Sequence, residues 1–191
     1  MTKIVQTELE SYYYHYPAGA TIVTTHSNGR DNAMAVAWHT AISRDTPIYL
    51  VSISPKRFTH KLLVESGEFT VNFMSMDSGP LVGQIAGCSG ADIDKFAELG
   101  IKSQPGSQVK AAVLDGAQAA YECKVVGQHT YGDHDAFLGE IVAVQWEPSA
   151  FSSDASLDLD AVKPILYLGE DYYTSTTGTV EHKRDLPART V

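Results

Sequence analysis

The sequence predicts a mainly β protein with a few short helices, folded as a closed or nearly closed barrel. Six runs rich in Val, Ile, Thr and aromatic residues, each bounded by turn signals, predict strands at residues 20–26, 33–42, 47–53, 68–74, 118–130 and 137–146. Helical patterns are fewer and shorter, and they do not alternate regularly with the strands. This distribution favours a barrel over a parallel sheet covered by helices.

Turn and capping residues predict the connections between these elements. Asn28-Gly29 separates the first two runs, and Asn-Gly between apolar runs predicts an antiparallel hairpin because both residues tolerate positive φ. The first of the predicted helices is expected to end at Gly67. Three short helices are expected, with capping residues at Thr59, Asp77 and Asp92.

Length and composition indicate one globular domain. The chain has 191 residues, of which 43% are hydrophobic and 19% charged, as in ordinary globular proteins. It shows neither a signal-peptide layout nor an apolar run near the ~20 residues that cross a bilayer, so a cytoplasmic protein without a membrane partner is expected. The two cysteines, Cys88 and Cys123, form no CxxC motif and are expected to be small buried residues.

Charge and missing motifs exclude several classes of function. A formal net charge of −9 disfavours binding to nucleic acid, so any anion site must be local. The sequence has no GxGxxG, GxxxxGK[ST], GxSxG or HExxH motif, which argues against a Rossmann dehydrogenase, a P-loop enzyme and a zincin. His129 and His134 flank two aspartates, but that segment is typical of a polar turn, and no metal site is predicted.

One local concentration of basic and hydroxyl groups, SISPKRFTHK (52–61), suggests an anion site. Ser52 and Ser54 lie on the same face of a strand, since side chains alternate with a period of two. Arg57 offers a planar fork suited to phosphate oxygens, and Thr59 stands at a helix start, where free N–H groups favour an anion. From the residues alone, a solvated basic turn followed by a helix cap explains the segment equally well.

The order of several motifs resembles a known family. The runs YPAGATIVTT, GRDNAMAVAWHTAIS, PIYLVSISPKRFTHKLLVESGEFTVN, CSGADIDKFAELGI and GDHDAFLGEIVAV resemble the flavin reductase-like, FMN-binding split-barrel family, including its flavoredoxin-type members. The resemblance implies a single domain over residues 1–191, with a core at about 15–170 and a C-terminal extension at 171–191. It also implies a split β-barrel and a homodimer with FMN near the subunit interface.

The same resemblance implies which residues contact FMN. The run 32–43 would lie along the isoalloxazine ring, with the expected neighbours Trp38, His39, Thr40, Ala41 and Ser43. The phosphate would lie in a loop in which either Ser52 or Ser54 supplies a hydroxyl, together with Arg57, Thr59 and His60.

Four further residues match the family pattern less specifically. Asn72 lies on the strand face opposite Phe69 and Phe73, so its amide would bond either the polar edge of the flavin or solvent. Cys88 and Ser89 fall in a loop expected near the flavin. His134 matches a family histidine on the nicotinamide side, although a polar turn explains it equally well.

The implied function is that of an FMN-dependent oxidoreductase. NADH or NADPH would pass hydride to flavin N5, and the electrons would then reach free flavin, a ferric complex, oxygen or a redox partner protein. Because the cofactor carries the chemistry, no side chain is expected to act as a catalytic acid, base or nucleophile. Two alternatives stay open: a flavoredoxin-type electron carrier that does not oxidise NAD(P)H itself, and a non-enzymatic barrel that binds another ligand such as haem.

Overall fold

The computed structural model describes residues 3–178. These residues form twelve strands, numbered β1 to β12 in chain order: Ala18–Gly19, Thr21–Ser27, Arg30–Val36, His39–Arg44, Pro47–Ile53, Glu68–Met74, Ser103–Gln104, Val113–Leu114, Ala117–Tyr131, His134–Trp146, Leu166–Gly169 and Tyr172–Thr174. The helices are α1 (Phe58–Ser66), α2 (Gly79–Ala86) and α3 (Lys95–Glu98). Two 3₁₀ turns occupy Met76–Ser78 and Pro148–Ala150.

The main sheet is antiparallel and curls into a split barrel. Its seven strands follow the order β3-β2-β6-β9-β10-β5-β4, so β3 and β4 are the two edge strands. Only Ala37 and Trp38 separate these edge strands in the chain. The two edges of the sheet therefore converge at this link, which confirms the predicted mainly β, split-barrel fold.

The strand predicted over residues 33–42 is wrong in one respect, because the chain breaks it at Ala37 and Trp38. No proline or glycine marks the break in the sequence. It occurs because the first half pairs with β2, from Thr21↔Val36 to Ser27↔Arg30, whereas the second half pairs with β5. A change of pairing partner is a tertiary effect that local residue preferences do not record.

The local turn signals are largely confirmed. Asn28 and Gly29 have φ of 52° and 74° and join β2 to β3 as a two-residue hairpin, and Gly67 ends α1 in the left-handed conformation. The predicted helix caps are shifted. The observed capping positions are Arg57, Ser78 and Asp94, and of these only Asp94 accepts hydrogen bonds through its side chain, from Phe96 N and Ala97 N.

Two apolar clusters pack on the two faces of the sheet. Because successive side chains of a strand point to opposite faces of the sheet, neighbouring residues belong to different clusters. Val23 lies in the barrel interior with Phe69, Val71 and Phe137, whereas Ile22 lies in the second cluster. That second cluster packs α2 against the outer face through Val82, Ile85 and Met74. It therefore fixes α2 beside β3, where the cavity described below opens.

A small sheet extends the fold beyond residue 170. Its order is β1-β11-β12, so Tyr172–Thr174 belongs to a paired strand and part of the predicted C-terminal extension packs on the folded unit. The rest of that extension, residues 179–191, lies outside the described residues. Among residues 3–178, no helix has the length and apolar character needed to cross a membrane.

Candidate functional site

The candidate site is a cavity of about 420 Å³ between β3, α2, the start of α1 and the small sheet. Its size is typical of small-molecule and cofactor sites. Its walls come from six parts of the chain: Ala20, Met34–Ala37, Lys56–Thr59, the α2 face with the loop that follows it, Lys95 of α3, and the small-sheet residues Tyr167, Asp171 and Tyr173.

One end of the cavity is built for an anion. Arg57 and Lys56 line it together with Thr59, at the N-terminus of α1. The first N–H groups of an α-helix have no intrahelical partner and carry the positive end of the helix dipole. Because the helix start supplies donors and two cations stand beside it, this end attracts phosphate or another anion.

Lys95 adds a buried cation to the same cavity. Its side chain is 4% exposed and its Nζ donates to Ile85 O at 2.8 Å. Burial lowers its pKa, while the nearby Cys88 thiol acts in the opposite direction. Within the described residues no carboxylate forms an ion pair with Lys95, so an anionic or strongly polar ligand would supply the missing partner.

The other end of the cavity is lined mainly by apolar residues. Val82 and Ile85 of α2 face it, and Met34–Ala37 line it as four consecutive residues. Since side chains alternate along a strand, a consecutive run indicates that the backbone edge of β3 itself faces the cavity. Tyr167 and Tyr173 form the aromatic wall, with ring centroids 5.3 Å apart.

These features match the shape and chemistry of FMN. A phosphate ester needs the basic, donor-rich end, and an aromatic tricycle needs an apolar slot with polar backbone along one side. The cavity supplies both, with three cations and a single carboxylate, Asp171, among its lining residues. The residues present therefore fit the predicted cofactor.

The structure brings together only part of the predicted site. Arg57, Thr59, Cys88 and Ser89 all line the cavity, and their contact with a cofactor stays a prediction. The five residues expected along the ring, namely Trp38, His39, Thr40, Ala41 and Ser43, do not line it, because β4 turns away to pair with β5. Met34–Ala37, from the earlier half of the same run, line the cavity instead.

Four of the residues predicted to lie along the flavin ring are outside the cavity, and two of them have hydrogen-bond partners within the protein. Trp38 Nε1 donates to Tyr16 OH at 2.9 Å, and Ser43 Oγ donates to Asp45 O at 3.2 Å. Thr40 and Ala41 are exposed on β4. The structure thus places all four beside the barrel opening or on its edge strand instead of in this cavity.

The remaining predicted phosphate residues are also directed elsewhere. Ser54 is buried and its Oγ accepts a long hydrogen bond from Lys56 N at 3.4 Å, whereas Ser52 is half-buried and does not line the cavity. His60 Nε2 contacts Asp135 Oδ2 at 2.7 Å. Hydrogen bonds from His60 first, and then Gln128, hold the pKa of Asp135 at about 2.

Asn72 does not face the cavity, because the protein uses its amide. Its Nδ2 donates to Ile22 O at 3.1 Å and Thr24 Oγ1 at 3.2 Å, and its Oδ1 accepts from Leu114 N at 2.8 Å. The side chain is fully buried. The expected contact of Asn72 with the polar edge of the flavin is therefore replaced by a structural role that ties β6 to β2 and β8.

His39 is held as a neutral imidazole. Its Nε2 lies 3.0 Å from Gly19 O, so this nitrogen donates, and Nδ1 accepts from Tyr49 OH at 2.7 Å. Burial lowers the pKa of His39 below its ordinary value of 6.5, and burial raises the pKa of Tyr49. Both shifts favour the neutral pair.

Acid is expected to destabilise the protein through His39. Because the folded-state pKa lies below 6.5, the unfolded chain binds this proton first, and stability is lost as the pH falls below about 6.5. Thermal unfolding at pH 7.5 and 5.5 measures this loss. His39→Gln keeps a donor for Gly19 O but does not titrate, so a pH-dependent loss of the same size in both proteins would contradict the expectation.

His134 lies next to Trp38, with ring centroids 4.7 Å apart, and its Nδ1 contacts Asp133 Oδ1 at 2.8 Å. It does not line the cavity, but Trp38 follows directly after the lining residue Ala37. Its predicted position on the nicotinamide side stays a prediction. Among residues 3–178, no cluster of three or more His, Cys, Asp or Glu side chains is placed to hold a metal ion.

Several lining residues were not predicted from the sequence. Lys95 is the first residue of the segment KFAELG, and the sequence leaves open whether it is a surface residue or a ligand contact. Its burial follows from packing against the end of α2. Tyr167, Asp171 and Tyr173 come from the small sheet, whose short strands give no periodic pattern.

The sequence matches a family model described as flavin reductase like domain over residues 13–176. The chain belongs to this family. The flavin reductase-like assignment confirms the resemblance found in the ordered motifs, and the matched range includes every segment that lines the cavity.

Solved structures of similar proteins share this fold. An FMN-binding protein from Thermus thermophilus, with bound 1-cyclohex-2-enone, has a TM-score of 0.87 and 31% identity, covering 96% of this chain and 99% of that one. Flavoredoxin of Desulfovibrio vulgaris (Miyazaki F) has a TM-score of 0.83 and 26% identity, covering 95% and 98% of the two chains.

Two curated relatives match in sequence. An Aeropyrum pernix protein is 34% identical over 157 residues, which are 81% of this flavin reductase-like chain but only 58% of that relative. The reductase component of an FADH(2)-dependent resorcinol hydroxylase from Rhizobium sp. is 28% identical over 159 residues, covering 82% of this chain and 80% of that one.

Proposed function

We propose that the protein is an FMN-binding oxidoreductase that uses NAD(P)H to reduce flavin. The observation that carries this proposal is the two-ended cavity, which combines three cations and a helix N-terminus with an apolar wall bounded by the edge of β3. The names of the Thermus and Rhizobium relatives, an FMN-binding protein and a reductase component, support the cofactor and the reaction class.

The protein contributes binding, orientation and exclusion of water. When bound, FMN supplies the hydride-accepting chemistry that no side chain of the cavity provides. Arg57, Thr59 and Lys95 would hold its charged and polar groups, and Val82 and Ile85 would keep water from one face of the ring. We place the nicotinamide near Trp38 and His134, whose rings pack against each other at a tilt of 47° beside the end of β3.

Anaerobic titration of the purified holoprotein with NADH and with NADPH tests the proposal. Loss of the visible flavin absorption with either donor supports a reductase. No loss with either donor would instead support an electron carrier, the second candidate, which the likeness to flavoredoxin favours. A visible spectrum with one intense Soret band would indicate haem and contradict both.

Arg57→Ala is expected to lower FMN affinity at least tenfold while leaving the melting temperature of the apoprotein unchanged. Charge-assisted contacts to phosphate are commonly worth about 1.5–3 kcal/mol, and Arg57 is an exposed residue of the cavity wall. Calorimetric titration of each apoprotein with FMN measures the affinity.

Lys61→Ala is the matched control for Arg57→Ala. Lys61 lies on the same helix and its removal changes the net charge equally, but its side chain is 70% exposed and does not line the cavity. Equal loss of FMN affinity in both variants would show a general charge effect and contradict a direct role of Arg57.

We also infer a homodimer and a cytoplasmic location. The β9–β10 hairpin exposes Val126, Tyr131, Val144 and Trp146, a set of large apolar side chains that a second copy would cover. Cys88 and Cys123 are both free thiols, which fits a reducing compartment. Light scattering should give about twice the 20.7 kDa chain mass, and a monomer at micromolar concentration would contradict the dimer.

A further inference from the structure

A buried asparagine connects the two walls of the anion end. Asn32, on β3, is 2% exposed, and its Nδ2 donates to Thr59 Oγ1 at 2.7 Å. Its Oδ1 lies against Gly90, and a Cβ built on Gly90 would overlap that oxygen. Asn32 therefore contacts both the first turn of α1 and the loop after α2, although it does not itself line the cavity.

The hydrogen bond from Asn32 determines in which direction the Thr59 hydroxyl proton can point. A threonine hydroxyl has one proton to donate and lone pairs that accept. Since Oγ1 accepts from Asn32, the proton points elsewhere, and among residues 3–178 no protein group accepts it. Thr59 is 3% exposed and lines the cavity, so the direction left for the proton is toward a ligand in the anion end.

The orientation of the Asn32 amide follows from its other contact. Oδ1 is buried without a hydrogen-bond donor among the described residues, and it faces the aliphatic hydrogens of Gly90. The reverse orientation would press the amide hydrogens against those of Gly90 and leave both N–H groups without an acceptor among the described residues, whereas the orientation found leaves one. An orphaned N–H is rarer than an under-satisfied carbonyl, and a C–H···O contact is weakly favourable, so the amide donates to Thr59.

Arg30 holds the loop in place around this contact. It lies two residues before Asn32 on the same strand, and its guanidinium donates to Gly90 O and to Ile93 O, the latter at 3.1 Å. The same group stacks over the Phe58 ring, 4.9 Å from its centroid. The loop and the start of α1 therefore form one fixed frame, in which Asn32 has little freedom to turn.

We propose that Asn32 is a positioning residue that directs the Thr59 hydroxyl proton at the phosphate of FMN. In this role Asn32 sets the preference for a phosphorylated flavin over riboflavin without touching the ligand. The inference rests on the proposed function, and it goes beyond that function by assigning ligand selectivity to a residue outside the cavity.

The test compares FMN with riboflavin, which lacks the phosphate, by calorimetric titration of apoproteins. Asn32→Ala and Thr59→Val are each expected to lower FMN affinity about tenfold and riboflavin affinity less than twofold. Thr59→Val removes the hydrogen bond to the charged phosphate, and Asn32→Ala leaves the Thr59 hydroxyl without the donor that orients it. The double variant is expected to match Thr59→Val alone, because Asn32 acts through Thr59.

Two further variants keep the inference testable if Asn32→Ala folds poorly. Asn32→Asp has nearly the same shape, but its carboxylate accepts the Thr59 proton, so the loss of FMN affinity should be at least as large. Thr25→Val is the matched control. Thr25 pairs with Asn32 across β2 and β3, and its buried hydroxyl has no partner among the described residues, so neither flavin should bind differently.

The outcomes separate the positioning role from the proposed function. Additive losses in the double variant, or equal losses for FMN and riboflavin, would overturn the role of Asn32 while leaving the FMN site intact. If the parent protein bound FMN no better than riboflavin, the anion end of the cavity would not bind the phosphate, and both proposals would be contradicted.

Discussion

Glu122→Gln is expected to lower the free energy of unfolding by about 3–5 kcal/mol, since two or more buried donors would lose their acceptor at about 1–3 kcal/mol each. The Glu122 side chain is fully buried. One carboxylate oxygen accepts from Ser107 N, Ser107 Oγ and Gln145 Nε2, and the other accepts from Gln108 N and Val109 N. A glutamine would turn an NH₂ group toward these donors and leave several of them unpaired.

Thermal and urea unfolding measure the effect of Glu122→Gln. With about 2–4 °C per kcal/mol for a chain of this size, the melting temperature should fall by roughly 6–20 °C. Glu140→Gln is the control, because Glu140 lies on the adjacent β10 and makes no side-chain hydrogen bond within residues 3–178. A fall of under 2 °C for Glu122→Gln would contradict the anchoring role.

The pKa of Glu122 predicts that acid also lowers the stability of the protein. Burial alone would raise the pKa, but the hydrogen bonds from Gln108, Ser107 and Gln145 outweigh it and lower the value from 4.5 to about 2. The folded state therefore binds this proton less readily than the unfolded chain. Its contribution to stability is present above about pH 4.5 and is lost as the pH falls toward 2.

Lys95→Met is expected to weaken FMN binding by roughly 30-fold or more while the apoprotein keeps its stability. The buried ammonium has one carbonyl acceptor, Ile85 O, and its desolvation is not offset by a carboxylate among the described residues. Replacing such a charge with an apolar side chain is often neutral for folding. Its loss from a complex removes a charge-assisted bond worth about 2 kcal/mol or more.

Calorimetric titration and thermal unfolding of the apoprotein separate these two effects. Lys56→Met is the control, since Lys56 lines the same cavity but is exposed, and solvent screens its charge. FMN affinity should fall much less in that variant. If Lys95→Met instead lowered the apoprotein melting temperature by more than about 5 °C and kept FMN affinity, Lys95 would be a structural residue and not a ligand contact.

The features of the fold that the sequence predicted are those that short segments determine alone. The Asn28-Gly29 hairpin and the Gly67 helix end depend on backbone conformations that few residues adopt. The break at Ala37 and Trp38 depends on which strand each half pairs with, and no local preference encodes that choice.

The sequence predicted the part of the candidate site in which a single segment of the chain supplies several lining residues. Arg57 and Thr59 belong to the strand-to-helix connection, whose residue types indicated an anion site. The predicted contacts His60 and Asn72 do not line the cavity, and distant residues, Asp135 and Leu114, are hydrogen-bond partners of their polar atoms. Lys95 could not be assigned from the sequence, since only the folded chain shows that this lysine is buried without an acidic partner among residues 3–178.

Because β3 is an edge strand of the main sheet, it can bind a ligand through its backbone, and this binding can persist while its sequence changes during evolution. The main-chain groups on its unpaired side exist whatever side chains Met34–Ala37 carry. A ligand that docks there would act as the neighbouring strand that the sheet lacks, and it would cover an edge otherwise open to aggregation. Substitutions along this strand can therefore accumulate without erasing its capacity to hold a planar polar ring.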